Sequence, residues 1–213
     1  LEAMHKLART NTLPGVGQRN RSLTVLALFD EPLTGETVVG AELASALPPQ
    51  TLAEMRTLAE EAAATLEAIA PHHPRMLTLY EMASAAHLTA YAARKTALSQ
   101  EIRQGLRDPD VNAARIHEYV LGLRALDAEL EGLRAEFEVL WLARARRSEM
   151  HVALGYFAGL RARYRAAINW LEQQRQALLR GQPIDAELTT YDASDYAVLW
   201  QEAERFLKQL GVL

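Results

Sequence analysis

With 213 residues, 49% of them apolar and 23% charged, the chain has the balance of a soluble globular protein. It is long enough for one large domain or two small ones, and for a core that buries roughly 70% of the unfolded surface. A net charge of −4 does not mark a nucleic-acid binder, and the lack of cysteine excludes disulfides, thiolate catalysis and cysteine-ligated metal within this chain.

The start, Leu1-Glu2-Ala3-Met4-His5-Lys6, has neither the charged nor the apolar segment of a secretion signal, and no apolar run is long enough to span a bilayer. A cytoplasmic protein without membrane partners is expected, and a first residue other than Met leaves room for a longer parent protein. Residues 1–22 are short and mixed, with turn chemistry at Asn11-Thr12-Leu13-Pro14-Gly15-Val16-Gly17. Leu23 to Phe29 is a compact apolar run, either a short strand or a buried helical turn, ended by Asp30-Glu31-Pro32-Leu33-Thr34-Gly35. These features define an irregular N-terminal arm over residues 1–47.

From residue 48 onward the spacing predicts a bundle of long antiparallel helices, so the fold class is all-α. Pro48-Pro49 is a stop, and Thr51 with Glu54 has capping-box spacing for a helix reaching Ala70. Pro71 and Pro74 break it, with His72 and His73 between them. The next helix runs from about Arg75 to Leu106, with Leu79, Tyr80, Ala83, Ala86, Ala90, Ala97 and Ile102 as its packing side. Asp108-Pro109 reads as an N-cap followed by proline at the first helical position. The helix after it carries Ile116, Tyr119, Leu123, Leu126, Leu130, Leu133, Phe137 and Leu140 at alternating spacings of three and four. That heptad seam packs lengthwise against other helices and, filled with leucine, leaves no room for a catalytic constellation. Glu131 falls on its exposed side. A helix from about Ser148 to Arg180 buries Leu154, Phe157, Leu160, Tyr164, Ile168, Leu171 and Leu178 before Gly181 and Pro183 stop it. Asp192 or Ser194 caps a last helix with Tyr196, Leu199, Trp200, Phe206 and Leu207.

Three clusters carry candidate chemistry. Asp30-Glu31 has the form of an acid/base pair, but Pro32 follows at once, and a turn with a capping Asp is the preferred reading. His72-His73 lacks a third ligand at metal spacing and reads as a solvated loop, so no metal or other cofactor is expected. Arg144, Arg146, Arg147, Arg161, Arg163 and Arg165 share a stretch with one acid, Glu149. Guanidinium groups suit phosphates and carboxylates, which makes Arg144, Arg147, Arg161 and Arg165 candidate anion-binding residues. Helix-end stabilisation and salt bridges to the acidic helix at 54–67 account for them more simply. Phosphate loops, nucleophile elbows and zinc-protease motifs are absent from the sequence.

Three segments together resemble the region that follows the catalytic barrel in one bacterial branch of glycoside hydrolase family 20, the β-N-acetylhexosaminidases. Asn11-Thr12-Leu13-Pro14-Gly15 and Leu28-Phe29-Asp30-Glu31-Pro32-Leu33-Thr34-Gly35 are similar to its Leu-Pro-Gly turn and Leu-Trp-x-Asp-Pro-Leu-x-Gly segment. Phe29 stands in place of the tryptophan and Glu31 in place of the aspartate. Tyr80-Glu81-Met82-Ala83-Ser84-Ala85, running to Lys95 and Ile102-Arg103, is similar to its Ala-Ser-Ala helix. Phe137 to Trp141, with Gly159-Leu160-Arg161 and Tyr164, resembles a Phe-x-x-x-Trp helix end and the Gly-Leu-x-x-Arg helix after it. The order and spacing match over residues 10–180.

The segment supplying the family's catalytic acid pair has no counterpart here, so the resemblance places the barrel upstream of Leu1 and carries no catalytic residue onto this chain. It implies a non-catalytic C-terminal helical domain over 48–213, partnered by that barrel and joined as a homodimer. The parent enzyme would remove terminal N-acetylhexosamine, its carboxylate pair assisting the substrate's acetamido group. A free-standing helical interaction module and an anion- or nucleic-acid-binding helix pair are the competing readings.

Overall fold

Residues 1–16, 28–35, 47–145 and 150–192 are described by the computed structural model. Among them the chain forms five α-helices and no strand: α1 (Glu2–Arg9), α2 (Pro49–Ile69), α3 (Met76–Leu106), α4 (Ala113–Arg144) and α5 (Met150–Leu179). The fold is all-α, as the periodicity requires. Residues 23–27 and the helix expected around Tyr196 to Leu207 lie outside the described residues.

Two helix starts differ from the sequence reading, because other partners claim the capping side chains, tertiary ones at α2 and a local turn before α4. Pro49 opens α2, with Pro48 in an extended conformation before it and no side-chain cap. Thr51 Oγ1 donates to the Pro14 carbonyl at 3.1 Å, and Glu54 pairs with Arg9 of α1, so the capping box does not form. Asp108 turns the chain instead of capping α4, accepting from the Asp110 amide at 2.9 Å. The cap is Asn112, whose side chain accepts from the Arg115 amide at 3.0 Å. At the end of α5 the expected stop is present as a Schellman motif. Gly181 N donates to Leu178 O and Gln182 N to Ala177 O, both at 2.9 Å, with Gly181 at φ 68°.

Consecutive helices are antiparallel, because the ion pairs between them step in opposite directions along each pair. Lys6 and Arg9 of α1 meet Glu61 and Glu54 of α2. Glu60 and Glu67 of α2 meet Arg94 and His87 of α3. Glu81, Arg94 and Glu101 of α3 meet Arg144, Glu129 and Arg115 of α4. Arg124 and Asp127 of α4 meet Glu172 and Arg161 of α5. Pairs this exposed stabilise by about 0–1 kcal/mol each, so they fix register more than they hold the fold together.

The heptad seam of α4 is the main core. Ile116, Tyr119, Leu123, Leu126, Leu130 and Leu133 are buried with Phe157, Leu160, Tyr164 and Leu171 of α5. Phe137 and Leu140, the last two seam residues, are only partly buried. On α3 the expected face is incomplete. Ala83, Ala86, Ala90 and Ile102 are buried, but Ala97 is exposed, and Tyr91, Ala92, Ala93, Lys95, Thr96 and Ser99 are buried as well. This helix packs on α2, on α4 and on the arm, so its burial wraps around the axis. Small residues make the approach possible: Ala62 and Ala63 of α2 pack with Ala83 and Ala86 of α3. A Cβ on Gly105 would lie 1.9 Å from the Tyr119 hydroxyl, so α3 and α4 close tightly at that end too.

The arm is more regular than its sequence suggests. Its first residues form α1, which sets Ala3 and Leu7 against Ala62, Ala63 and Leu66 of α2. Leu13-Pro14-Gly15-Val16 is a hydrogen-bonded turn, with Val16 N donating to Leu13 O at 3.0 Å and Gly15 at φ 85°. Leu13, Val16 and Leu47 are buried with Leu52, Met55 and Ala93, so the described parts of the arm share the core of the helices.

Candidate functional site: a buried clamp on residues 28–35

The most densely built polar site lies where the arm segment 28–35 meets α3, α5 and the chain after α5. Leu28 and Leu33 enter the main core and carry Asp30 and Glu31 into it, where those carboxylate residues are 3% and 6% exposed. The turn expected of Asp30-Glu31 is present, but Asp30 is not its capping residue. Glu31 does the capping: it accepts from the Leu33 amide at 2.7 Å and from the Thr34 amide. Asp30 points inward to the Lys95 ammonium of α3.

Burying a charge costs several kcal/mol unless it is paired and hydrogen-bonded, and here the partners converge from distant parts of the chain. Lys95 Nζ contacts the Asp30 carboxylate and donates to the Asp30 carbonyl at 2.7 Å. Arg103 Nη1, two turns further along α3, donates to the Thr34 carbonyl at 2.6 Å. Arg163 Nη1 of α5 donates to the Phe29 carbonyl at 2.8 Å. The Tyr191 hydroxyl donates to the second oxygen of Glu31. Phe29 completes the grip, its ring 5.3 Å from Tyr156 and 5.7 Å from Phe157, edge-on to the latter.

Tyr191 is placed by the chain that folds back after α5. The Asp185 carboxylate accepts from the Thr190 amide at 2.6 Å and from the Thr190 hydroxyl at 2.7 Å. Desolvation pushes the Asp185 carboxyl up, but hydrogen bonds from Thr190 and Thr189 together outweigh it and hold the group at about 2. Trp170 donates from its indole N–H to Thr190 Oγ1 at 3.1 Å and meets the Tyr191 ring edge-on at 5.8 Å. Leu188, at φ 58°, adopts a left-handed conformation that leucine rarely takes, and it packs against the core.

The electrostatics follow from burial. Desolvation raises the Glu31 carboxyl pKa, and hydrogen bonds from Tyr191, Thr34 and Leu33 work against that rise. Desolvation and then the Glu31 carboxylate raise the Tyr191 phenol. Full burial, followed by the positive charges of Arg163 and Arg103, draws the Lys95 ammonium well below its usual range, while the contact with Asp30 pulls the other way. Beside this set, Tyr91 and Tyr164 share a hydroxyl–hydroxyl bond of 2.6 Å, both phenols raised by burial. Each carboxylate thus has its own commitments, Asp30 to Lys95 and Glu31 to Tyr191 and the turn amides. The arrangement anchors a segment; it does not present an acid and a base to a shared substrate.

The four candidate anion-binding arginines separate. Arg144 is held by Glu81 at 2.7 and 2.9 Å and by the Thr78 hydroxyl at 2.7 Å. Arg161 is held by Asp127 at 2.8 Å and by Glu131 at 2.5 Å. Arg165 is exposed, its Nε 3.5 Å from the Arg161 carbonyl. Arg147, like Arg146, lies outside the described residues. Arg144 and Arg161 form their salt bridges not with residues 54–67 but with Glu81 of α3 and with Asp127 and Glu131 of α4. His72 and His73 are exposed, with His73 Nδ1 accepting from the Arg75 amide at 3.0 Å. No group of three metal-ligating side chains occurs among the described residues.

Sequence reasoning passed over Tyr191 and the roles of Lys95, Arg103 and Arg163. One signal was available: Lys95, Ser99 and Arg103 recur every four residues, so they stand on one face of α3. A second feature is an apolar groove of about 410 Å³ between α3 and α4, lined by Leu88, Phe137, Leu140 and Trp141 and edged by the Arg144–Glu81 pair. No helix among the described residues is long and apolar enough to cross a membrane. Comparison with protein-family models, with curated proteins and with solved structures returns no match.

Proposed function

We propose that this chain is a non-catalytic helical domain of a β-N-acetylhexosaminidase-like glycoside hydrolase, which braces the catalytic barrel or joins two copies. The observation that carries the reading is convergence. Phe29 to Gly35 belong to the first segment of the family resemblance and Lys95 and Arg103 to the second, and they meet at one buried clamp. Residues chosen by that resemblance thus include several that the fold uses to fix its arm, beside Arg163 and Tyr191. The groove beside Phe137 and Trp141, with Val139 and Leu142 exposed nearby on the same helix, supports a docking role.

The chain alone is expected to leave an aryl N-acetyl-β-glucosaminide unhydrolysed, while the full product of its gene hydrolyses it. Turnover that co-purifies with the chain through several columns overturns the non-catalytic reading. A full gene product without a barrel overturns the family reading. Sedimentation equilibrium tests the joint: a two-fold dimer supports it, and a strict monomer favours a free-standing module and weakens the family reading.

A further inference from the structure

We propose that His87 is a proton-operated clasp that ties α3 to α2 and α4 beside the apolar groove, closed when the imidazole carries two ring protons and loosened when it loses one. The geometry is a sandwich. His87 Nε2 lies 3.4 Å from a Glu67 carboxylate oxygen on α2, and Nδ1 lies 3.4 Å from a Glu136 carboxylate oxygen on α4. A neutral imidazole has one N–H, so in either tautomer the other nitrogen turns a lone pair toward a carboxylate. Only the imidazolium carries a proton toward each carboxylate, hydrogen-bonding Glu136 and attracting Glu67 by charge. The side chain is 30% exposed, so protons reach it, while Glu67 and Glu136 belong to the two helices that flank α3.

The charges facing His87 from both flanking helices have one sign. From α2 comes Glu67, and from α4 come Glu136 and, further off, Glu129, which also pairs with Arg94. The hydrogen bond to Glu136 raises the imidazole pKa, partial burial opposes it, and the charges of Glu136, Glu67 and Glu129 raise it further, for a net rise above the ordinary 6.5. The direction of the linkage follows. A base raised in the folded state contributes stability that is complete below its unfolded pKa and lost as pH climbs through the folded one. The clasp is therefore closed below the ordinary value of 6.5 and loosens as pH climbs through the raised folded value. What loosens is the groove. Ser84, Ala85 and Leu88, within one turn of His87, form one wall, and Phe137, next to Glu136, begins the other with Leu140 and Trp141. Unpinning Glu136 frees the helix segment that carries the second wall.

The test uses the full chain between pH 5.5 and 9. The His87 ring signal, assigned by its loss in His87→Gln, is followed by NMR beside the thermal midpoint and the Trp141 emission, isolated by difference from Trp141→Phe. The expected result is a titration midpoint above 6.5, a thermal midpoint that falls across the same interval, and a Trp141 emission change with the same midpoint. His87→Gln flattens that fall, and Glu136→Gln lowers the His87 titration midpoint. If His87→Gln does not fold, Glu67→Gln and Glu136→Gln each report through the His87 signal. A His87 midpoint at or below 6.5, or one unmoved by both glutamine substitutions, overturns the clasp. Trp141 emission that stays constant through the His87 titration overturns the coupling to the groove.

Discussion

Replacing Lys95 with Met is expected to destabilise the protein by about 3–5 kcal/mol, the cost of breaking a buried ion pair by removing one partner. Lys95 is 1% exposed and the Asp30 side chain 4%, so neither charge turns to solvent when the other is gone. Asp30→Leu should cost a similar amount for the mirror reason. The double variant Asp30→Leu/Lys95→Met is expected to recover much of the loss, because no charge is left stranded. It does not recover all of it, since Lys95 also donates to the Asp30 carbonyl, a bond worth about 1 kcal/mol. Denaturant unfolding of the four proteins gives the coupling directly. A double variant that costs the sum of the singles would show that the pair is not what holds the arm. Glu31 gives the pH signature of the same site. Its carboxyl pKa is raised on folding, so its contribution to stability is present below the ordinary value near 4.5 and declines as pH rises toward the folded value. Glu31→Gln stays neutral throughout and should gain on the natural protein as pH rises from 4 to 7. A difference that is flat with pH sinks the assignment of a raised carboxyl.

The parts of this fold that could be read from the sequence are those whose physics is periodic. The α4 seam buries one stripe, and Ile116 through Leu133 follow a heptad without exception. The α3 helix is different. It buries residues on several sides, so Tyr91, Ala92 and Lys95 join the core beside Ala83 and Ala90, and no single stripe marks it. The eight residues of α1 are too few to show a repeat, and they are held by packing on α2. The clamp was half legible. Asp30-Glu31 stood out as an acidic pair, and the family resemblance quoted Lys95 and Arg103. Their meeting was hidden because every cross-contact spans 65 or more positions. A buried lysine also looks like any surface lysine until its carboxylate is in place. The arginine cluster shows the opposite failure. Arg144 and Arg161 are close in sequence, but their carboxylates sit on α3 and α4, so proximity along the chain gave a common site that the helices divide.

Leu130→Ala is expected to cost about 2–5 kcal/mol, the range for deleting a large buried aliphatic side chain. Leu130 is 0% exposed and lies mid-seam, between Leu126 and Leu133 at 7% each. Its neighbours belong to two long helices, which cannot collapse locally into the space without shifting many other contacts, so the cost should fall in the upper part of that range. The control belongs on the same helix. Val139 is 68% exposed, and Val139→Ala should change stability by under about 0.5 kcal/mol. Glu131, which the heptad register alone marks as an inert exposed site, is a poorer control because it bonds both Arg134 and Arg161. Glu131→Ala should cost a little through those pairs, and less in high salt. Phe137→Ala tests where the seam ends. Phe137 still meets Phe157 at 5.6 Å between ring centroids, yet it also lines the open groove, so its truncation should cost less than that of Leu130. Denaturant midpoints that rank Leu130 above Phe137, then Glu131, then Val139 place the end of the closed core between Leu133 and Phe137. Equal small effects at Leu130 and Val139 would mean that the seam is not the core.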